Sequence, residues 1–477
     1  MQVSVSGSLP PRKRPRSLKW HWLLYSFLAS LFITGVLVTL YILLEEKPNQ
    51  TQVAAYPEAV ELETGQLLPL LSSGELMDWK ALVEGSEIYL PFDLLKEKVD
   101  PYIFLDEDSE QVVITNEHQV FTLHQAVLHE HLKDDQVALQ FPVRNIDGVI
   151  YIPMTPLADI YSLTLKKFDQ FQVVELVEAN EPWLSGEVIF PEKEKEKAKE
   201  FVRIGPSYQE PYVQEVASGQ KVRIFAEKNQ WYKVQTEEGA IGYLPKEFVQ
   251  LKELVMVQKE EQPRDKTGYA PWKPLGKKIN LTWEHVVSRS PDPDSIAPPP
   301  GVHVVSPTWF HLADDQGQLK NLADTRYVDW AHRNGYQVWA LVTNDFNPDR
   351  THAVLSSFEK RKNVILQLVH FAQIYQLDGI NIDFENVYLK DRENLVQFVR
   401  ELTPYLHEMG LVVSIDVTIK STSEMWSQFL DRKALAETVD YVMVMTYDEH
   451  WASSPKAGSV ASLPWVERGL LGVLEEV

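Results

Sequence analysis

Asp378, Asn381, Asp383 and Glu385 fall within one ten-residue stretch, DGINIDFENV, at 378–387. In a strand, side chains two apart share a face. Asn381, Asp383 and Glu385 then point one way, and Ile380, Ile382 and Phe384 the other. Asp378 stands at the strand's start, after the turn-like QLDG. Two like charges on one core face cost on the order of several kcal/mol unless paired or protonated. A half-exposed edge strand with a solvated acidic face is the ordinary reading of such alternation. It fits poorly here, because the flanking text reads as buried strands separated by helices. A carboxyl that burial and a neighbouring carboxylate hold in its protonated form can give up that proton near neutral pH, which is what acid–base chemistry requires.

The elements that must position these groups repeat along the C-terminal part of the chain. Strand candidates are KINLTWEHV (278–286), VHVVSPTWF (302–310), YQVWALVTN (336–344), GINIDFENV (379–387), LVVSIDVTI (411–419) and DYVMVMTYDEH (440–450). Helix-period text such as SSFEKRKNVILQLVHFAQIYQ lies between most of them. This βα repetition predicts a parallel sheet covered by helices. Polar residues at the strand ends predict a (β/α) barrel, whose chemistry sits at the C-terminal face.

On this fourth strand, DGINIDFENV resembles the DxxDxDxE signature of glycoside hydrolase family 18, the chitinase family, with Asn381 in place of the second Asp. VVSPTWF and VMVMTYDEH support the resemblance, which covers about residues 277–477 and is nearest to the bacterial branch of spore and cell-wall hydrolases. It implies a TIM-barrel (β/α)8 domain. It also implies that Glu385 is the general acid, that Asp383 orients the substrate's acetamido group, and that Tyr447 contacts the acetamido carbonyl. Asp378, Asn381 and Asp448 would be further polar contacts to substrate. The family departs from the usual two-carboxylate scheme: the sugar's own 2-acetamido oxygen attacks the anomeric carbon. Asp383 would stabilise the charge that develops on that group, and Glu385 would then activate water. Asn381 makes the middle of the carboxylate series neutral, which weakens proton sharing between the acids. No metal or cofactor is implied.

Six strands are found where a closed barrel needs eight. From Lys277 onward 201 residues remain, against about 250 for a typical barrel. LPWVERGLLGVLEEV reads as the sixth helix, so the barrel is expected to be truncated after its sixth βα unit.

The rest of the 477-residue chain suggests an envelope protein. Residues 22–44 are 23 residues without a charge, preceded by Arg12, Lys13, Arg14, Arg16 and Lys19 and followed by Glu45 and Glu46. Such a run is long enough to span a bilayer as a helix. The flanking charges place a tail at 1–21 in the cytoplasm and the bulk of the chain outside, as a single-pass signal anchor in the cell membrane. A cleaved signal peptide is the alternative; its apolar core is normally about 7–15 residues. Net charge is −22, and −27 once the five cations of the tail are set aside. That acidity argues against nucleic acid as a partner. Cysteine is absent, which excludes disulfides, thiolate–zinc sites and thiol nucleophiles.

IYLPFDLL (88–95) recurs as IYIPMTPLA (150–158). This duplication resembles the copper amine oxidase N-terminal-like domain, an α+β stalk at about 80–180. His118, His124, His129 and His131 cluster there, and without a fixed carboxylate pattern they read as surface histidines rather than metal ligands. A charge run, PEKEKEKAKE (191–200), reads as a linker. VRIGPS, GQKVRI, QWYKVQ and GAIGYLPKEFV resemble a bacterial Src-homology-3-like (SH3-like) barrel at 201–251, carried by Trp231, Tyr232, Gly242, Tyr243, Leu244 and Pro245. Such modules often bind the cell wall, whereas Trp231 and Tyr243 are equally well explained as core. Residues 258–278 read as a Pro-bearing linker.

The whole is therefore expected to be a membrane-anchored, extracytoplasmic hydrolase of N-acetylated glycans, with peptidoglycan as the first substrate and chitin oligomers as the second. A glycan-binding wall protein without turnover is the alternative. Retention of Glu385 counts against it, and the missing strands count for it.

Overall fold

The computed structural model describes residues 18–44, 48–106, 109–124, 127–139, 142–161, 163–177, 182–191, 199–256 and 278–477. Most of the basic tail, the centre of the charge run and the linker at 258–277 lie outside them. The chain divides into two compact units. One comprises residues 1–59, 68–78 and 164–258, and the other residues 60–67, 79–163 and 259–477. The stretch expected as one stalk domain at 80–180 is thus shared between units, most of it grouping with the C-terminal residues.

In the first unit, α1 (Leu18–Leu44) is a single helix of 27 residues. Side chains are described at Trp22 and residues 24–37 of it, and all of these are exposed. Among the described residues, which in α1 are limited to these side chains, no helix is long and apolar enough to cross a membrane.

In the second unit, β1 (Glu87–Pro91) leads directly into α2 (Phe92–Lys98). Pro91 fixes the backbone bend, with an extended ψ before the helix. Five short strands follow in an antiparallel meander: β2 (Phe104–Asp106), β3 (Gln111–Thr115), β4 (Val120–His124), β5 (Val127–Glu130) and β6 (Asp135–Ala138). The text QVVITNEHQVFTL, read as one strand-like run, folds back on itself. Asn116 Oδ1 accepts the backbone N–H of His118 (2.9 Å), and the turn it makes separates β3 from β4. Then β7 (Val149–Pro153) pairs antiparallel with β1, so that Tyr89, Leu90 and Pro91 lie opposite Pro153, Ile152 and Tyr151. The two copies of the duplicated motif are therefore paired with each other. Among the histidines, the His129 and His131 rings lie 3.9 Å apart, but His131 is bonded to Thr122 (2.8 Å) and His129 to Asp134 (3.0 Å). Among the described residues no group of three or more His, Asp or Glu side chains is placed to hold a metal ion.

The small β-domain belongs to the first unit. Its strands are β8 (Pro182–Val188), β9 (Glu200–Arg203), β10 (Tyr212–Val216), β11 (Lys221–Lys228), β12 (Trp231–Thr236), β13 (Ile241–Pro245) and β14 (Val249–Met256), in the order β10-β9-β13-β12-β11-β8-β14. Val188, Val202, Val222, Val234 and Leu244 form its core, and Trp231 is buried against Tyr208. The sheet begins before residue 201, because β8 supplies Val188 to that core and pairs with both β11 and β14.

The C-terminal domain has six parallel strands alternating with helices, β15 (Leu281–Glu284), β16 (Val304–Leu312), α3 (Thr325–Arg333), β17 (Gln337–Thr343), α4 (Pro348–Leu355), α5 (Phe358–Tyr375), β18 (Gly379–Asp383), α6 (Arg392–Glu408), β19 (Val412–Thr418), α7 (Arg432–Ala436), β20 (Tyr441–Met445) and α8 (Leu463–Leu474), and a short seventh strand, Leu319–Asn321, pairs antiparallel with β16. The strand order β15-β16-β17-β18-β19-β20 follows the chain, with β15 and β20 at its ends. Tight turns follow the C-terminal ends of β17, β18 and β20. Asp345, Phe346, Asn386 and Asp448 all take left-handed φ between 53° and 69°, a conformation costly for non-glycine residues and often found at functional sites. The apolar faces of the strands meet the helices in one core that includes Val338, Ala340, Ile380, Ile382, Val413 and Ile415.

Candidate active site

β18 lies between β17 and β19 and has no free edge. Ile380 and Ile382 are fully buried toward the helices, and Phe384, just past the strand, stacks on Phe398 of α6 at 5.6 Å. Asn381 and Asp383 therefore face the opposite way, among the side chains that the other strands turn from the helices.

Asn381 is completely buried and held on two sides. Ser414 Oγ donates to its Oδ1 (2.6 Å), and its Nδ2 donates to Asp416 Oδ2 (2.7 Å). Both partners come from β19, in whose register Asn381 lies opposite Ser414 and Ile382 opposite Ile415. The next pair in step is Asp383 beside Asp416, on strands about 4.8 Å apart. Trp283 of β15 donates its Nε1–H to the same Asp416 oxygen (3.2 Å). The other oxygens, Asp383 Oδ1 and Asp416 Oδ1, are buried and make no hydrogen bond to any described residue. Asp416 was not singled out in the sequence. The signal was present: Ser414, Asp416 and Thr418 alternate with Ile415 and Val417 in VVSIDVT, the same period-two polar face as the fourth strand.

Glu385 stands two residues past β18, half-buried. Its backbone is clamped by the buried amide of Asn344, at the end of β17. Asn344 Nδ2 donates to Glu385 O (2.7 Å), and Glu385 N–H donates to Asn344 Oδ1 (3.1 Å). Thr351 of α4 fixes the amide in turn (2.8 Å). Asn344 is a second residue that strand-level reading passed over; its only mark is a terminal position in the apolar run YQVWALVTN.

The electrostatics follow from this packing. Burial, with the nearby charges of Asp383 and Asp448, pushes the Glu385 carboxyl up to about 7. Burial pushes Asp383 up to about 6. Asp416 is raised well above the carboxylate range, first by burial and then by the Asp383 charge. Like charges this close do not all ionise together at neutral pH. Tyr447, just past β20, is raised by burial and by the charges of Asp416, Asp383, Glu385 and Asp448, and its ring meets Trp283 edge-on at 6.2 Å. Asp448 is exposed beside it. Around the rim, Phe346 and Trp426 are exposed with their rings 6.0 Å apart.

Five of the six predicted residues, Asn381, Asp383, Glu385, Tyr447 and Asp448, gather at this end of the sheet. Asp378 does not. It precedes β18 at the N-terminal end, where its Oδ2 accepts the Val338 N–H (2.8 Å) and bonds His332 Nε2 (2.9 Å) of α3. At about 3.3 Å per residue, seven residues put it some ~20 Å from Glu385. Its expected role as a substrate contact is corrected to that of a strand-start clamp.

A half-buried proton-bearing carboxyl and an adjacent buried acid pair, rimmed by aromatic rings, can protonate a leaving oxygen and stabilise positive charge forming nearby. Residues 288–469 match the family described as glycosyl hydrolases family 18, and residues 201–250 match the bacterial SH3 domain. The uncharacterized glycosylase YvbX of Bacillus subtilis (strain 168) is 31% identical over 168 residues, covering 33% of this chain and 48% of that protein. A cortical fragment-lytic enzyme of Bacillus anthracis is 30% identical over 151 residues, covering 30% of this chain and 35% of that protein. The chain therefore spans half or less of the length of these relatives. Among solved structures, a chitinase from Chromobacterium violaceum ATCC 12472 aligns with TM-score 0.34 and 27% identity, covering 37% of this chain and 58% of that one. The chain thus carries a family 18 glycosyl hydrolase domain at residues 288–469 and a bacterial SH3 domain at residues 201–250.

Proposed function

We propose that this protein cleaves β-linked N-acetylglucosamine-containing glycans by substrate-assisted, retaining hydrolysis, with peptidoglycan as its natural substrate. The observation that carries the reading is Glu385, whose carboxyl is held up to about 7 next to the raised Asp383. In this reading Glu385 protonates the glycosidic oxygen and later activates water. Asp383 accepts the acetamido N–H while the acetamido oxygen attacks the anomeric carbon. Tyr447 contacts the acetamido carbonyl, and Asp448 tunes Glu385. Asn381 acts behind them, holding Asp416. The relatives named as glycosylase, chitinase and cortical fragment-lytic enzyme support the substrate class.

The same proposal places the protein at the cell envelope. A helix of 27 residues at about 1.5 Å per residue is about 40 Å long, enough for a hydrocarbon core of about 30 Å. Residues 22–44 would anchor it, and the SH3-like module would engage the wall.

The test is turnover of N-acetylglucosamine oligomers and of purified glycan strands by the full chain. Glu385→Gln keeps size and removes the transferable proton. Turnover should fall roughly 100-fold or more with glycan binding largely kept, and substrates lacking the 2-acetamido group should not be cleaved. Full activity in this variant, or a covalent sugar adduct on Asp383, would remove the mechanism. Binding without turnover by the unaltered chain would instead favour a non-catalytic wall-binding protein.

A further inference from the structure

We propose that Asp416 is the proton-sharing partner of Asp383, so that the second acid of the site is supplied by β19 instead of by position 381 on β18. The inference rests on the glycosidase reading for its catalytic meaning, though not for its geometry. Three observations carry it. The register that sets Asn381 opposite Ser414 and Ile382 opposite Ile415 brings Asp383 and Asp416 next to each other when continued by one residue, and the Asp383 charge acts on Asp416. Each has one buried oxygen, Oδ1, with no hydrogen-bond partner among the described residues. Asp416 is also locked in place through its other oxygen, Oδ2, by Asn381 Nδ2 and Trp283 Nε1. The Asn381 amide cannot turn without losing Ser414, which donates to its oxygen. Asn381 is thus a bracket for an acid, occupying the place where the signature has the acid itself.

Two buried carboxyls with free oxygens facing one another are stable when they hold one proton between them. The groups acting on Asp416 are Asp383 and Glu385 from β18 and its extension, with the amide of Asn381 and the indole of Trp283; Tyr447 faces the same acids. Before reaction the shared proton neutralises Asp383. As the glycosidic C–O bond breaks, Glu385 gives its proton to the leaving oxygen and the acetamido oxygen bonds the anomeric carbon. The acetamido group keeps its N–H and gains positive charge. The shared proton passes from Asp383 to Asp416, leaving Asp383 anionic toward that N–H. The pair carries one negative charge throughout. Asp416 does not touch the sugar, so it is a positioning residue.

The test uses the full chain, N-acetylglucosamine oligomers, and the variants Asp416→Asn and Asn381→Asp/Asp416→Asn. Asp416→Asn retains the acceptor for Asn381 and Trp283 but can hold no exchangeable acid proton. Its kcat should fall at least ~10-fold with KM little changed, and the acidic limb of its pH profile should move down by about one pH unit as Asp383 loses a like-charged neighbour. The double variant, which returns the second acid to β18, should recover most of both. Parental kcat and an unmoved limb in Asp416→Asn would overturn the proposal. So would a lowered kcat with an unmoved limb that the exchange does not rescue. If Asp416→Asn does not fold, carbon-13 NMR titration of labelled aspartates in the unaltered protein decides. Two buried carboxyls titrating together, with one proton lost at about pH 6 and the other retained above it, uphold it; two independent titrations near pH 4 overturn it. Absence of turnover in the unaltered chain alongside that joint titration would sink the glycosidase reading and leave the acid pair standing.

Discussion

As the general acid of the proposed mechanism, Glu385 would have to meet two demands at once. It must keep a proton near neutral pH, and it must sit where a leaving oxygen can reach it. Burial answers the first and raises the carboxyl to about 7; the Asn344 clamp answers the second by fixing the backbone on which it stands. The sign of the resulting pH dependence is determined. A general acid is lost as pH rises through its folded value, so kcat/KM should fall above about pH 7, approaching tenfold per unit. On the acid side, the Asp383–Asp416 pair must have released one of its two protons, so activity should also fall below about pH 6, where burial has placed Asp383. A narrow bell with its maximum between about 6 and 7 is expected from kcat/KM measured across pH 4–9. A plateau extending to pH 9 would show that Glu385 is not the titrating acid. Much of this was legible from DGINIDFENV, because three polar residues at period two inside an apolar run have few structural explanations. Asp416 was not, since one acid in VVSIDVT gains its meaning only from the register that sets it beside Asp383. Asp378 misled for the opposite reason: it is near Glu385 in sequence, yet a strand carries the two to opposite ends.

At the scale of elements, the six parallel strands of the C-terminal domain were all visible as apolar runs, and their C-terminal ends as clusters of polar residues. What the sequence hid was the support behind them. Arg361 of α5 is fully buried and grips Glu401 of α6 through two bonds, Nε–Oε2 at 2.9 Å and Nη2–Oε1 at 2.8 Å. Asp106, at the end of β2, lies 3.7 Å from the same guanidinium and accepts the Phe358 N–H that opens α5. Val113 and Val120 of the meander pack on Phe358, and Arg400 of α6 donates to Thr115 (3.0 Å). The meander at 104–138 is thus built onto the helices behind β18, joined by a buried ion cluster whose members lie about 250 and 295 residues apart in the chain. Charges so distant carry no local pattern in the sequence. Removing the cation leaves two buried carboxylates uncompensated. Arg361→Met should lower stability by about 3–5 kcal/mol, measured as a fall in the urea midpoint of the unfolding transition that reports the C-terminal tryptophans. Arg361→Met with Glu401→Leu should recover part of that loss. An unchanged midpoint in the single variant would show the pair to be dispensable.

At the scale of the whole molecule, the domains differ in what they ask of their surroundings. In the proposed function the acid site takes a polymer of N-acetylated sugar and the small β-domain meets such polymers in the wall, so neither would be of use in a compartment without one. The proposed anchor bears on which compartment that is. Five cations stand before residue 22 and two acids after residue 44; in the proposed anchor this asymmetry would keep the tail in the cytoplasm and everything beyond outside. Each of those cations left uncrossed avoids a transfer through apolar medium that costs about 2.5–3.5 kcal/mol at the bilayer centre, so the orientation does not depend on any single residue. A reporter that is active only in the cytoplasm, fused after residue 60 and expressed in a bacterium, should give no signal, and one active only outside should give a strong one. Replacing Arg12, Lys13, Arg14, Arg16 and Lys19 together by glutamine should weaken that asymmetry, whereas replacing one should not. Cytoplasmic activity from the unaltered fusion would place the glycan site on the wrong side of the membrane from the wall. Peptidoglycan strands would then be excluded as the substrate, whatever the chemistry of Glu385.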